Sequence, residues 1–148
     1  MPKKGQALVK ELLHLVDEDT NAFNQIMAAF GLPKGNDAEK AARTAAIESA
    51  TINAIKVPFR TMELAYQTFD LVKAMASIGN PNSVSDAGVG ALCARTALKG
   101  AYLNVKINAQ DLQNHPEVKP IIEKANLMNQ LSDDMELETW NIVLGKIK

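Results

Sequence analysis

The stretch that decides the fold is residues 8–30, LVKELLHLVDEDTNAFNQIMAAF, in which apolar residues recur every three or four positions. This spacing matches the 3.6-residue turn of an α-helix and not the alternation of a strand. Two neighbouring apolar stripes run along the helix and together predict a broad buried face. The first stripe consists of Leu8, Leu12, Leu15, Asp19, Ala22, Ile26 and Ala29, and the second of Val9, Leu13, Val16, Thr20, Phe23, Met27 and Phe30.

Three consecutive carboxylates interrupt this helix at residues 17–19. Asp17 lies on the opposite, polar face and Glu18 lies beside that face, so both are predicted to point to water. Asp19 falls on the first apolar stripe, where the helical phase predicts burial. A buried carboxyl group holds its proton more readily and suits a general acid or base. The alternative is a structural Asp that hydrogen-bonds to a neighbouring helix.

The rest of the chain continues the helical periodicity, and no alternating segment is long enough for a useful strand. Gly31 and Pro33 are predicted to end the first helix, and Pro58 to kink or split the second helical stretch. The segments GNPNSVSD (79–86) and NHP (114–116) separate the later helices. We therefore predict an all-α, multihelical body of about five helices in a single domain covering residues 1–148.

A later helix carries mostly small side chains on one face, which ends in two amides. Small residues allow close approach of another helix, for instance across a dimer interface, or of a flat ligand, and both alternatives remain open. Buried amides must be hydrogen-bonded, and an amide both donates and accepts, which suits the edge of a heterocycle as well as another helix. The face consists of Asp86, Gly90, Ala94, Ala97, Ala101, Asn104 and Asn108.

Composition excludes several classes of function. With 16 basic and 17 acidic residues, the net charge of −1 gives no electrostatic reason to expect nucleic acid or an anionic membrane as a partner. No apolar run approaches the roughly 18 residues of a membrane span. The single cysteine, Cys93, fits a reducing compartment, and neither histidine has a second metal ligand at a suitable spacing. We expect a cytoplasmic protein without a metal or nucleotide cofactor.

Three segments in combination resemble the formiminotetrahydrofolate cyclodeaminase family. They are DEDTNAFNQIMAAFGLPK (17–34), KVPFRTME (56–63) and GNPNSVSDAGVGALCARTALKGAYLNVKIN (79–108), and the resemblance extends over about residues 8–145. Bacterial members include proteins described as methenyltetrahydrofolate cyclohydrolases. The resemblance implies a long antiparallel helical hairpin used in dimerisation, hence a homo-oligomer that is at least a dimer. The family also has a glycine-rich N-terminal segment that this sequence lacks, so we expect a shortened member.

The resemblance also implies a reaction, in which 5-formiminotetrahydrofolate releases ammonia and closes to 5,10-methenyltetrahydrofolate during histidine degradation. A tetrahydrofolate derivative is then the substrate, and a glutamate formiminotransferase is a candidate partner. Hydrolysis of the methenyl compound and a non-catalytic role as a helical interaction subunit remain alternatives. Asp19 matches the catalytic aspartate of the family. The residues expected to bind the substrate are Gly79, Asn80, Ser85, Asp86, Asn104 and Asn108.

Overall fold

The structure is a computed structural model that describes residues 2–147, and within that range it contains four α-helices and no strand. The helices are α1 (Pro2–Phe30), α2 (Asp37–Ile78), α3 (Val84–Asn108) and α4 (Lys119–Lys146), with a short 3-10 turn at Pro81–Ser83. The predicted all-α, multihelical class is confirmed. None of the helices in this range combines the length and the apolar character that crossing a membrane would need.

α2 is the central helix, and the other three helices all contact it. α3 runs back along α2 to form the long antiparallel hairpin: Gly90 lies against Val72 near the turn, and Asn108 reaches Ala54 at the far end. The main core lies between α2, α3 and α4 and includes Met62, Phe69, Leu98, Val105 and Ala125. α1 packs on another side of α2, in a smaller cluster formed by Ala22, Ala54 and Val57 with Leu15 and Ile26.

Pro58 does not split the helix in which it lies. α2 continues through it from Asp37 to Ile78, so residues 2–147 form four α-helices where about five were expected. Proline has no backbone N–H and therefore cannot donate to the carbonyl four residues earlier, which is that of Ala54. The side-chain Nδ2 of Asn108 donates to this carbonyl at 2.9 Å. α3 thus supplies the hydrogen bond that α2 cannot make for itself.

Within the described residues, the first apolar stripe of α1 packs against α2, whereas the second is largely exposed, although the ring of Phe30 lies 5.5 Å from the guanidinium of Arg43. Leu8, Ala22 and Ala29 of the first stripe are buried. The prediction of a single broad buried face is wrong for the second stripe, which we call the outer α1 face, because α1 packs on only one helix and that helix covers one side. Its exposed side chains are Val9 (57%), Leu13 (66%), Val16 (63%), Phe23 (61%), Met27 (55%) and Phe30 (50%).

Candidate functional site

Asp19 is exposed, so the predicted burial of its side chain is wrong for this protomer. Asp17 is exposed as predicted, and Glu18 is half-buried beside His14, with Oε1 3.8 Å from Nε2. Asp19 follows the stripe that faces α2 but lies at the edge nearest the outer α1 face, where no other helix covers it. Within residues 2–147, no hydrogen bond or ion pair holds its carboxylate, which is therefore available to a ligand.

Two polar contacts between α1 and α2 show where Asp19 lies along the axis of α2, which we call its height. Arg60 donates to Glu11 at 2.7 Å, and the amide of Asn53 donates to Gln25 at 2.9 Å. Because the two helices are antiparallel, Asp19 lies between these contacts, close to the level of Val57 on α2.

Asn104 and Asn108 lie at the same height, on the α3 side of α2. Asn108 reaches the carbonyl of Ala54, and Asn104 is one helical turn away, near the level of Pro58. α4 pairs with a different edge of α3, where Lys99 donates to Asp133 at 2.9 Å. The amide pair is thus directed away from α4.

The helical phase of about 100° per residue turns these groups toward the same side of α2. It turns Asp19 toward the side of α1 that faces α3, and the two asparagines toward the side of α3 that faces α1. We call the space between them the α1–α3 cleft. Asp19 lies on the α1 side of this space and Asn104 and Asn108 lie on its α3 side, with α2 between them.

The two asparagines form a small hydrogen-bonded unit. Nδ2 of Asn108 donates one hydrogen to the carbonyl of Ala54 and the other, at 3.3 Å, to Oδ1 of Asn104. Both hydrogens of the Asn108 amide are therefore used. Among the residues that the structure describes, Oδ1 of Asn108 and Nδ2 of Asn104 have no hydrogen-bond partner. A half-buried acceptor and a half-buried donor therefore stand side by side, an arrangement that matches the edge of a heterocycle.

The other predicted binding residues lie at the opposite end of the α2–α3 hairpin. Gly79 ends α2, and a Cβ at this position would overlap the carbonyl of Met75. Oδ1 of Asn80 accepts from the backbone of Asn82 at 3.0 Å and so shapes the 3-10 turn. Ser85 and Asp86 are exposed in the first turn of α3.

The predicted site residues fall into two groups that are far apart along α3. Asp86 and Asn104 are 18 residues apart on one helix, which corresponds to about 27 Å. Gly79, Asn80, Ser85 and Asp86 therefore cannot touch the same atoms of a ligand as the amide pair of the same protomer. Asp19, Asn104 and Asn108 lie at a similar height on one side of α2, and the turn residues lie apart from them.

Close helix packing explains the glycines in the small-residue face and next to it. A Cβ on Gly90 would lie 3.0 Å from Cγ1 of Val72, and one on Gly88 would lie 3.4 Å from both methyl carbons of Val143. Of the two alternatives left open by the sequence, contact between helices of the same protomer therefore accounts for these two positions. A ligand is not needed to explain them.

A second concavity was not predicted from the sequence. A groove of about 1300 Å³ lies between the end of α1, the first half of α2 and the segment before α4. Half-buried His115 lines it, with Nε2 3.5 Å from Glu48 and Nδ1 accepting from the backbone of Glu117 at 3.2 Å. Lys56 also contacts Glu117 at 2.6 Å. These polar groups already contact one another, so they are less free to bind a ligand.

Metal-binding geometry is not found in the part of the chain that the structure describes. Within residues 2–147, no three His, Cys, Asp or Glu side chains are grouped closely enough to hold an ion. The chemistry available in the cleft is that of one carboxylate and two amides.

The architecture defines an all-α protein built on a long antiparallel hairpin. The chain belongs to the formiminotransferase-cyclodeaminase family, whose sequence profile matches residues 1–127. It is 36% identical over 135 residues to a methenyltetrahydrofolate cyclohydrolase from Methylorubrum extorquens, a match that covers 86% of this chain and 65% of that protein.

Two eukaryotic relatives carry a different name, formimidoyltransferase-cyclodeaminase. The Rattus norvegicus protein is 35% identical over 102 residues and the Dictyostelium discoideum protein 37% identical over 108 residues. These matches cover 69% and 73% of this chain, but 19% of each relative. The chain therefore spans slightly less than two thirds of the bacterial relative and about a fifth of the eukaryotic ones.

Proposed function

We propose that this chain is a folate-dependent cyclodeaminase that converts 5-formiminotetrahydrofolate into 5,10-methenyltetrahydrofolate and ammonia. The observation that supports the proposal is that Asp19 lies at a similar height to Asn104 and Asn108, on the same side of α2. The names of the relatives supply the substrate class, since each refers to folate one-carbon chemistry or to cyclodeamination.

The reaction requires one proton to move between two nitrogens. The formimino group reacts in its protonated, amidinium form. N10 of the folate bonds to the formimino carbon and loses its proton, while the formimino nitrogen gains a proton and departs as ammonia with the electrons of its bond to that carbon. A single carboxylate between the two nitrogens can accept the first proton and deliver the second. Asp19 has this role in our proposal. A substrate that fills the cleft excludes water and thereby strengthens the interactions of the carboxylate.

The amide pair orients the pterin ring in this proposal. Oδ1 of Asn108 accepts a hydrogen bond from the ring edge, and Nδ2 of Asn104 donates one. Gly79, Asn80, Ser85 and Asp86 are too distant to touch the reacting carbon in the same protomer. We assign them contacts with a part of the substrate that is remote from that carbon.

Hydrolysis of 5,10-methenyltetrahydrofolate is the second candidate, and the name of the bacterial relative favours it. In that reaction water attacks the methenyl carbon and loses both of its protons. Asp19 accepts one of them and delivers it to N5 as the bond between N5 and the carbon breaks, and the other passes to solvent, which leaves a formyl group on N10. Both reactions use the same bicyclic folate, so the same cleft serves either. Measuring ammonia release from one substrate and loss of the methenyl compound from the other distinguishes them.

We further propose that the chain works as a homo-oligomer of at least two copies in the cytoplasm, within histidine degradation. A glutamate formiminotransferase is the candidate partner that supplies the formimino group, because the eukaryotic relatives are named for both activities. The exposed apolar side chains of α1 support self-association.

The test compares Asp19→Asn with Asp17→Asn, an exposed neighbour on the polar face of the same helix. Removing the acid–base group should lower turnover by about 100-fold or more, whereas the control should keep normal turnover. Near-normal turnover by a correctly folded Asp19→Asn protein would refute the assignment. Calorimetry with folinic acid tests the non-catalytic alternative, which absence of binding to the unmodified chain would support.

A further inference from the structure

A shallow hollow of about 670 Å³ lies on the exposed side of α3, close to the end of that helix. Residues of α3 and of the segment that follows it line this space, which we call the α3 hollow. Its lining includes Leu103, Asn104, Lys106, Ile107, Gln110 and Gln113. Because Asn104 also belongs to the amide pair, the hollow and the proposed site share a residue.

Lys106 is the cation of the α3 hollow. Two other cations precede it on α3, and both contact acids of α4: Arg95 contacts Asp133 at 3.3 Å and Glu136 at 3.0 Å, and Lys99 contacts Asp133 at 2.9 Å. Lys106 is exposed, and within residues 2–147 it takes part in no ion pair and no side-chain hydrogen bond. Contacts between α3 and α4 therefore account for the first two cations and leave the third available to an anion.

An apolar strip lies beside this lysine. Leu103 and Ile107 are one helical turn apart, and they are 67% and 63% exposed. A planar aromatic ring that covers both side chains removes apolar surface from water. A Cβ added at Gly100 would meet no atom within 4 Å, so the space next to the strip is open.

The far end of the hollow is polar. The amides of Gln110 and Gln113 are exposed there, and each can donate hydrogen bonds to an anion. The α3 hollow thus combines the amide of Asn104, an apolar strip and a free cation with further amide donors.

A tetrahydrofolate has chemical groups of the same kinds in sequence along its length. Its pterin ring is joined to an aminobenzoyl ring, which is joined to a glutamate with two carboxylates. We propose that this benzoyl-glutamate arm lies in the α3 hollow, with the benzoyl ring on Leu103 and Ile107 and one carboxylate on Lys106. The inference rests on the proposed function, because it requires the pterin to be held at Asn104. Lys106 then determines affinity and specificity and does not touch the reacting carbon.

The second carboxylate of the glutamate remains for other contacts. Ser85 and Asp86 cannot meet the arm in the same protomer, since about 27 Å separates Asp86 from Asn104 along α3. Contacts of these turn residues with the outer end of the arm would come from another copy of the chain.

The experiment is calorimetry of the complete chain with two compounds, folinic acid and 5-formyl-6-methyltetrahydropterin, which has the same ring system but lacks the arm. The variants are Lys106→Gln, the conservative Lys106→Arg and the control Lys10→Gln, at an exposed lysine on the polar face of α1. Losing the charge-assisted contact in Lys106→Gln should weaken the binding of folinic acid by roughly 10-fold. Lys106→Arg and Lys10→Gln should bind it as the unmodified chain does, and all four proteins should bind the compound without the arm equally.

Salt provides a second readout that a purely structural role would not change. Raising the ionic strength should weaken the binding of folinic acid to the unmodified chain more than to Lys106→Gln, because exposed charge pairs are screened. If Lys106→Gln fails to fold, the unmodified chain decides: added salt must weaken the binding of folinic acid and must leave that of the compound without the arm unchanged.

The outcomes separate this inference from the proposed function. Equal affinity of Lys106→Gln and the unmodified chain for folinic acid, or an equal loss of affinity for both compounds, would overturn the role of Lys106 and leave the proposed reaction standing. A chain that binds folinic acid through Lys106 but has no turnover would refute only the reaction. Absence of binding of both compounds to the unmodified chain would refute both.

Discussion

Asn108 donates its side-chain amide to the carbonyl of Ala54 at 2.9 Å, and Pro58 is the reason that this carbonyl is free. The bond joins the end of α3 to the middle of α2 at the level of Asp19. It also fixes the orientation of Asn108, so that its oxygen is the atom left to face the cleft. One hydrogen bond thus serves the continuity of α2 and the geometry of the proposed site.

This relationship predicts a double-mutant cycle. Asn108→Ala should lower the free energy of unfolding by about 1–3 kcal/mol, because the partly buried carbonyl of Ala54 loses its donor. In a Pro58→Ala background the cost should be smaller, since the backbone N–H restored at position 58 can donate to that carbonyl. Urea denaturation measures both values, with the exposed Asn141→Ala as the control. Equal costs in the two backgrounds would show that Pro58 and Asn108 are not coupled.

The ion pairs between α3 and α4 predict a dependence of stability on pH. The hydrogen bond from Lys99, followed by the nearby charges of Lys99 and Arg95, lowers the pKa of Asp133. A carboxyl group whose folded pKa is lowered stabilises the fold above its unfolded pKa, near 4, and loses that effect as pH falls through the folded pKa. Because Asp133 is half exposed, Asp133→Asn should cost less than about 1 kcal/mol at pH 7.

As the pH falls below about 4, the difference between Asp133→Asn and the unmodified chain should shrink, because the unfolded carboxyl group takes up a proton there and the advantage of the charged folded form is progressively lost. Denaturation curves at pH 7, 5 and 3 provide the measurement. Asp134→Asn, at an exposed neighbouring position, is the control and should show little change at any pH. A difference for Asp133→Asn that stays constant from pH 7 to pH 3 would contradict the role of these ion pairs.

The glycines of α3 should respond to alanine in a defined order. A Cβ added at Gly100 would meet no atom within 4 Å, so Gly100→Ala should raise the free energy of unfolding by about 0.5–1 kcal/mol through helix propensity. Gly90→Ala should raise the free energy of unfolding by a smaller amount or lower it, because the new methyl group would lie too close to Cγ1 of Val72. Thermal melting of the two variants tests the order, and a larger gain for Gly90→Ala would contradict the packing described here.

The remote group of predicted binding residues should affect substrate affinity more than chemistry. In a combined Ser85→Ala and Asp86→Asn variant, we expect KM to rise several-fold while kcat stays within about twofold. Contacts distant from the reacting carbon stabilise bound substrate and transition state alike. Steady-state kinetics on 5-formiminotetrahydrofolate supply both constants. A large loss of kcat with unchanged KM would place these residues at the reacting atoms instead.

Local sequence patterns predicted the helices well because the start and the end of a helix depend mainly on residues that are close in sequence. The end of α1 at Phe30 and the break around Gly79 follow from glycine, proline and apolar spacing. The continuity of α2 could not be predicted, since the donor for Ala54 comes from Asn108, 54 residues further along. The exposure of Asp19 was missed for a related reason. Periodicity shows which faces of α1 are apolar, but not how many helices are available to cover them.

If the outer α1 face is covered by a second copy, the stability of this chain depends on its concentration. In such a dimer, six large side chains of each copy lose contact with water only when a second molecule arrives, so mass action enters the stability of the native state. Each tenfold dilution should remove about 1.4 kcal/mol of that contribution per pair of chains. The melting temperature should fall with dilution, and a cell that makes little of the protein should hold it as weakly stable single chains.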